Sequence, residues 1–485
     1  MLVLLNFDSA GLPLVEQLVA DGCLPAVAEL FARGRRYKLE TPATYFPAGT
    51  YPTLYTGLEL AEHGLYYPFQ WDARAQRTRY AEEFPAPPSA WERVAATGAR
   101  ALVVDPYEAR LPSRFDGVFL SGWQFRNRVV LPARSQPSDT ERRLRARFGR
   151  SPSIEEVFGV QSVATLRAMR RDLVAAPARV ARVACDLLAR ERFDLVWLTF
   201  SAAHLAGHQF WDLSQLPELS TTVADVYVEV DAAIASILEA LPADATIVLF
   251  AALGMGPDTS RVDLLPGMLD AVLADGAART AGGSLWRFRA RVPTRARAAV
   301  AARLPRRAVL DLTARLETRA RDWSQVPAFV LASDVVGYIR LNLRGREREG
   351  VVEPGDADGL LDRIAAGLTT FADPDGTPSV AEARRSSEVV PRGRRSGELP
   401  DLLVRWSERP AAGLDRVVSP ELGEVPRVGG GSGRSGNHTS DAWAVLTPAS
   451  RGADRPDGRV VDLAATVCAA LGVEHADLPG RSLLR

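Results

Sequence analysis

Short, uniformly apolar runs that alternate with helical segments constrain the fold of this chain most strongly. The first run covers residues 2–5, just ahead of Asp8, and the stretch 12–33 has the apolar spacing of a helix that ends at Gly34. Comparable apolar runs lie at 100–104, 115–120, 195–200 and 246–250, the last two each preceded by a helical segment (178–190 and 223–241). Strands that are apolar throughout are buried on both faces. The sequence therefore predicts an α/β fold with a mostly parallel central sheet sandwiched by helices.

The alternation of strands and helices is interrupted between residues 257 and 400. This stretch contains an Arg/Ala-rich helical segment (293–321), a strand-like run (335–343) and a helix near 358–368. We interpret it as an inserted cap subdomain, so that 1–256 and 401–485 form the two parts of the core. The segment 128–152 is polar and rich in Arg, Ser and Pro, which is typical of a loop excursion.

Composition excludes several classes of protein. The 485 residues contain 59 Lys+Arg and 59 Asp+Glu, so no global positive field attracts a nucleic acid polymer or an anionic membrane. No apolar stretch approaches the ~18 residues that span a bilayer, and the first residues are typical of a strand and lack the features of a signal peptide. The three widely spaced cysteines cannot build a disulfide framework, which favours a reducing cytoplasm. Oligomeric state cannot be read from the sequence.

Three of the five histidines lie at predicted loop openings. His204 and His208 follow the strand 195–200, and their spacing of four brings both onto one face of a turn, close enough to share a metal or a phosphate. His438 lies between a glycine-rich tract and another predicted strand. Asp8 follows the first strand, where a buried carboxylate needs a partner. The alternative is that these histidines have no role.

Motifs along most of the chain resemble the type I phosphodiesterase/nucleotide pyrophosphatase group of the alkaline phosphatase superfamily. The resemblance rests on ordered motifs, in one-letter code NFDS at 6–9, DGCLP at 21–25, FARG at 31–34, PTLYTG at 52–57, EHG at 62–64, VY at 226–227 with Asp231, GMGP at 254–257, LRGRE at 343–347 and PDLL at 400–403. It implies an alkaline-phosphatase-like fold with an inserted cap, and a hydrolase acting on phosphate esters or phosphodiesters.

The resemblance also implies a metal site. The family holds two metal ions, usually zinc, and His204, His208 and His438 match the ligands of one site, with His204 where the family has Asp. The second site of the family uses the carboxylate matched by Asp8, the nucleophile and an Asp-His pair that is replaced here by Ala252 and Leu253. We therefore expect one ion, Zn²⁺ or another divalent metal, and a degenerate second site to which Asp8 contributes as a residual ligand.

Thr50 is the nucleophile that this resemblance favours. It begins a Thr-Tyr-Pro-Thr element similar to the Thr-aromatic-Pro element of nucleotide pyrophosphatases, and a helix that starts there would favour a phosphoryl group. Thr53 is the second choice, and the alternative is that both threonines only cap or pack a helix. Asp8, next to apolar Ala252 and Leu253, is a candidate general base for the Thr50 hydroxyl or for an acceptor substrate.

The remaining candidate residues have structural interpretations. We expect a structural role for His63, no role for His475, and an internal ion pair between Arg346 and Glu347.

The sequence thus predicts a metal-dependent phosphohydrolase or phosphodiesterase of the cytoplasm that acts on a small phosphate ester or phosphodiester. Two alternatives remain open: a transferase of secondary metabolism that has been repurposed from such an enzyme, and a non-catalytic pseudoenzyme that binds a ligand. The substrate cannot be identified, because its specificity would reside in the inserted segment.

Overall fold

The structure is a computed structural model that describes residues 1–113, 115–126, 133–154, 161–213, 216–274, 322–428 and 432–485. The predicted helical segment 293–321 lies outside these residues, as do the start of the polar excursion (128–132) and the glycines at 429–431.

Five parallel strands form the centre of a nine-stranded sheet. Its order is β19-β2-β18-β9-β1-β8-β5-β6-β7, in which β9, β1, β8, β5 and β6 run parallel while β18 and β7 are antiparallel to their neighbours. The strands are β1 (Leu2–Asn6), β2 (Arg35–Glu40), β5 (Ala101–Val104), β6 (Gly117–Ser121), β7 (Arg134–Gln136), β8 (Leu195–Thr199), β9 (Thr246–Ala251), β18 (Ala442–Thr447) and β19 (Asp457–Arg459). The mostly parallel central sheet predicted from the apolar runs is confirmed.

Helices cover both faces of this sheet, which is why its strands are apolar throughout. Side chains at alternate positions of a strand point to opposite faces. Val3 and Leu5 therefore belong to one hydrophobic cluster, and Leu2 and Leu4 to the other. The first cluster contains α1 (Leu12–Ala20), α2 (Pro25–Arg33), α7 (Val163–Ala175), α8 (Pro177–Leu188) and α10 (Thr222–Ala240); the second contains α3 (Thr50–Thr56), α5 (Ala90–Ala96) and α14 (Val461–Ala470).

The described chain divides into two compact units. The first comprises 1–63, 86–258 and 433–485, and the second comprises 64–85 and 259–432. Besides the large sheet and its helices, the first unit contains α4 (Leu60–His63), α6 (Thr140–Phe148), α9 (Ser201–Phe210) and a ribbon of β10 (Gly254–Pro257) and β17 (Gly436–Thr439).

An antiparallel four-stranded sheet organises the second unit. Its order is β11-β12-β14-β13, and α11 (Leu265–Leu273) and α12 (Ala357–Leu368) share its hydrophobic cluster. The other elements are β3 (Phe69–Asp72), β4 (Arg77–Tyr80), β11 (Ala328–Leu331), β12 (Gly337–Leu341), β13 (Val380–Arg385), α13 (Ser386–Val389), β14 (Leu402–Trp406), β15 (Arg416–Ser419) and β16 (Gly423–Pro426). The predicted ion pair is confirmed, since Arg346 Nε lies 2.9 Å from Glu347 Oε1.

Of the helices that the structure describes, none combines the length and the apolar character needed to cross a membrane.

Candidate metal centre

Two histidines lie on α9, which begins directly after the central strand β8. All ten residues of this helix are buried, including His204 and His208. A buried imidazole is costly unless its nitrogens find partners. Because the helix follows β8, it starts at the carboxyl edge of the parallel strands, where open α/β sheets place their ligands.

The third histidine reaches the same place from the other end of the chain. His438 lies on β17, opposite Met255 of β10 in the antiparallel ribbon. Two glycines let this ribbon approach α9. A Cβ at Gly207 would come within 2.6 Å of the Met255 side chain, and a Cβ at Gly436 would lie 2.2 Å from the Gly207 carbonyl oxygen.

His204, His208 and His438 therefore form a compact cluster, which we call the three-histidine centre. One ring nitrogen of each lies within 4.8 Å of the others, and the ring centroids are 4.7–4.8 Å apart. His208 Nδ1 lies 2.9 Å from the carbonyl oxygen of Gly436. A carbonyl only accepts, so Nδ1 carries the proton and Nε2 keeps the lone pair that can bind a metal.

These residues fit a divalent metal. Zinc bound by imidazole nitrogens at ~2.0–2.1 Å requires ligand atoms about 3.4 Å apart in a tetrahedron. The ligand atoms here all lie within 4.8 Å of one another, so no pair is more than about 1.4 Å wider than that separation. Three neutral imidazoles that leave one position open are a donor set typical of catalytic zinc.

Asp8 lies beside the centre in a buried network. Its Oδ1 accepts hydrogen bonds from Tyr51 Oη at 2.9 Å and from Ser9 Oγ at 3.4 Å, and its Oδ2 is 3.3 Å from His204 Nδ1. Tyr51 Oη and Ser9 Oγ are also 3.0 and 3.1 Å from that nitrogen. The roles expected for Asp8, residual ligand and general base, stay predictions.

Thr50 is the first residue of α3 and is fully buried. Its Oγ1 donates to the carbonyl oxygen of Phe46 at 3.3 Å, and its neighbour Tyr51 makes the contacts to Asp8 and His204. Thr53 Oγ1 donates to the carbonyl of Gly49 at 3.0 Å and lies 2.9 Å from His63 Nε2, a buried pair that joins α3 to α4. The nucleophile therefore stays a prediction, while these contacts tie Thr53 and His63 into the local packing.

Apolar side chains occupy the positions at which the resemblance predicts two missing ligands. Ala252 and Leu253 follow β9 directly, are 3% and 1% exposed, and belong to the hydrophobic cluster on the α3 face of the sheet. Neither side chain can bind a cation.

Sequence reasoning missed three residues of this site. Tyr51, Ser9 and Tyr107 all surround His204, and the Tyr107 ring stacks on the imidazole at 5.4 Å with an interplanar angle of 26°. Tyr51 and Ser9 are both inside motifs that carry the resemblance. The missed signal was a hydroxyl directly after a candidate residue: Ser9 follows the candidate ligand Asp8, and Tyr51 follows the candidate nucleophile Thr50. Tyr107 is next to no candidate residue.

The comparisons with known proteins agree with this fold. A family model described as type I phosphodiesterase / nucleotide pyrophosphatase matches residues 2–409. No match to a curated protein sequence was found.

Three solved structures illustrate the structural similarity. Phosphonoacetate hydrolase from Sinorhizobium meliloti 1021, in complex with phosphonoformate, has a TM-score of 0.52 at 15% identity, covering 97% of this chain and 95% of that one. Murine ectonucleotide pyrophosphatase/phosphodiesterase 5, an inactive form in complex with AMP, has a TM-score of 0.52 at 12% identity, covering 100% and 99%. The alkaline phosphatase PafA has a TM-score of 0.54 at 12% identity, covering 99% and 98%. At such low identities these similarities establish the fold, and the family match spans most of the chain. This chain therefore belongs to the type I phosphodiesterase/nucleotide pyrophosphatase family.

Proposed function

We propose that this protein is a metal-dependent phosphohydrolase that cleaves a small phosphate ester or phosphodiester with a single divalent ion, most simply Zn²⁺, at the three-histidine centre. The observation that carries the proposal is the convergence of His204, His208 and His438 within 4.8 Å in a chain of this family. The AMP and phosphonoformate bound to two structural neighbours support a small phosphorus-containing anion as substrate.

A bound ion would act as a Lewis acid on a phosphoryl oxygen and would withdraw charge from an attacking or leaving oxygen. The chain itself supplies the orientation of the ligands, through the His208–Gly436 hydrogen bond and the contacts around His204. Ala252 and Leu253 support the single-ion stoichiometry, because they provide apolar surface instead of a second ligand set. All three cysteines are free, which supports a reducing location such as the cytoplasm.

Metal content and hydrolysis test this proposal together. We expect about one equivalent of zinc in purified protein, hydrolysis of an aryl phosphomonoester or phosphodiester, and loss of both in His208→Ala and His438→Ala. His475→Ala is the matched control, because its imidazole Nδ1 lies 2.8 Å from the carbonyl oxygen of Val473, a local contact, and its loss should not affect the metal. Unchanged zinc in both ligand variants would place the metal elsewhere. Full zinc occupancy without any hydrolysis would favour the transferase or the pseudoenzyme.

Thr50 enters the proposal as the nucleophile. Thr50→Ala should lower turnover at least ~10³-fold while the zinc content stays at the wild-type level, because a lost nucleophile removes the chemistry and leaves the ligands intact. Thr50→Ser keeps a hydroxyl and should retain measurable activity. An active Thr50→Ala protein would exclude this residue, and Thr53→Ala then tests the second choice.

A further inference from the structure

One ring nitrogen of His204 is surrounded by several side-chain oxygens that can form hydrogen bonds. Three side-chain oxygens lie within 3.3 Å of His204 Nδ1: Tyr51 Oη at 3.0 Å, Ser9 Oγ at 3.1 Å and Asp8 Oδ2 at 3.3 Å. All of these side chains are buried, with Asp8 and His204 each 1% exposed. They come from the end of β1 and the first turn of α3, which are distant in sequence from α9.

The direction of these hydrogen bonds follows from simple inventory. Tyr51 Oη and Ser9 Oγ both donate to Asp8 Oδ1, at 2.9 and 3.4 Å, as suits an ionised carboxylate, which can only accept. A hydroxyl has one hydrogen, so the oxygens of Tyr51 and Ser9 face His204 as acceptors. With Asp8 ionised, all three of these neighbours of Nδ1 are acceptors, and the proton of a neutral imidazole then lies on Nδ1, with the lone pair on Nε2.

We propose that Asp8, Ser9 and Tyr51 form a cradle that fixes the tautomer and the orientation of His204, so that Nε2 is held ready to bind a metal at the three-histidine centre. Tyr51 and Ser9 are thus positioning residues, and Asp8 anchors both hydroxyls. This inference rests on the proposed function. It has a physical purpose, because an imidazole in the wrong tautomer presents an N–H to the ion and cannot bind it.

The backbone at Ser9 supports the cradle independently. The backbone of Ser9 has φ +63°, a left-handed conformation that residues with a Cβ rarely adopt and that glycine adopts freely. A serine in such a position is held there by its surroundings, and strain of this kind concentrates at functional sites. The hydroxyl between Asp8 and His204 is the contact that a glycine would lack.

Ring packing restrains the same imidazole from its face. Tyr107 stacks on His204 with 5.4 Å between the ring centroids, and it contacts Tyr51 in a tilted arrangement at 4.4 Å and 39°. The hydrogen bonds set which nitrogen is protonated, and the stacked ring limits rotation about the side-chain torsions.

The first experiment determines the tautomer without metal. NMR spectra of metal-free protein labelled with ¹⁵N on histidine contain the ring signals of only five histidines. The signals of His204 are assigned as those that disappear in His204→Asn. In its neutral form, the ring of His204 should carry its proton on Nδ1. A ring of His204 protonated at Nε2 alone would overturn the proposal, whatever the protein does with metal.

The second experiment measures Zn²⁺ affinity by competition with a chromophoric chelator. Tyr51→Phe and Ser9→Gly should each raise the dissociation constant about 10-fold or more, up to ~100-fold, as is typical for lost partners of metal-binding histidines. Tyr55→Phe is the matched control, because Tyr55 lies one turn further along α3 and packs against Trp91 and Trp197. Unchanged affinity in both test variants would refute the cradle.

Thermal unfolding of the metal-free variants separates positioning from folding. Ser9→Gly should be at least as stable as the wild type, since glycine relieves the left-handed backbone, yet should bind zinc more weakly. A Ser9→Gly protein that loses metal only in proportion to lost stability would contradict the proposal. If His208→Ala bound zinc as tightly as the wild type, the three-histidine centre itself would be refuted. The tautomer measurement on the metal-free protein does not depend on that result.

Discussion

Replacing Gly436 by alanine should damage the three-histidine centre without touching a ligand. The new Cβ would lie 2.2 Å from the Gly207 carbonyl oxygen and 2.6 Å from Trp211 Cβ. Ordinary van der Waals contact begins near 3.4 Å, so β17 and α9 must separate by about 1.2 Å. Neither contact is with the far end of a flexible side chain, so the strain cannot be relieved by a rotamer change.

That separation acts on the metal ligands through one hydrogen bond. His208 follows Gly207 directly, and its Nδ1 is bonded to the carbonyl of Gly436 itself at 2.9 Å. An increase of about 1 Å takes this distance beyond the hydrogen-bonding range. Loss of such a partner weakens metal binding about 10–100-fold, or ~1.4–2.7 kcal/mol, and overpacking costs a further ~1–3 kcal/mol of stability.

Two measurements on Gly436→Ala check this reasoning. Competition with a chelator gives the Zn²⁺ dissociation constant, and thermal unfolding with and without zinc gives the metal-dependent stabilisation, which should shrink as the affinity falls. Gly413→Ala is the control, because Gly413 is exposed and a Cβ added there would meet nothing within 4 Å. A Gly436→Ala protein that matches this control in both affinity and stability would falsify the close-approach argument.

Two further predictions concern residues outside the centre. Asp231 of α10 accepts hydrogen bonds from the Ala26 and Val27 amides at the start of α2, and burial raises the pKa of its carboxyl against the effect of these bonds. Asp231→Ala should lower the free energy of unfolding in denaturant by about 2 kcal/mol, whereas Glu239→Ala, at an exposed position of α10, should leave it nearly unchanged. Equal effects of the two variants would contradict the capping role. Burial raises the pKa of the Cys468 thiol to about 11, so only about one in a thousand such thiols is ionised at pH 8. Alkylation of the folded protein should therefore modify exposed Cys23 long before Cys468. Mass spectrometry of the labelled peptides measures both rates, and comparable rates would refute this prediction.

Much of the fold could be predicted from local patterns. The runs that became β1, β8 and β9 are apolar at nearly every position, and only a strand covered on both faces buries such a run completely. The sequence could also indicate where chemistry lies, because a parallel sheet presents the carboxyl ends of its strands at one edge. Asp8 and His204 follow β1 and β8, which are neighbours in the sheet with Asn6 opposite Thr199.

Tertiary structure decided what surrounds these candidates. The α3 hydroxyl that contacts Asp8 belongs to Tyr51, whereas the Thr50 hydroxyl donates to the Phe46 carbonyl oxygen of the preceding turn. The apolar periodicity of the sequence also does not predict the left-handed backbone of Ser9 or the close approach of Gly436 to Gly207. Periodicity reports which face of an element is buried, because burial acts on each side chain along its own strand or helix. Which atoms then meet depends on the packing of elements distant in sequence, and that is determined only when the whole core is assembled.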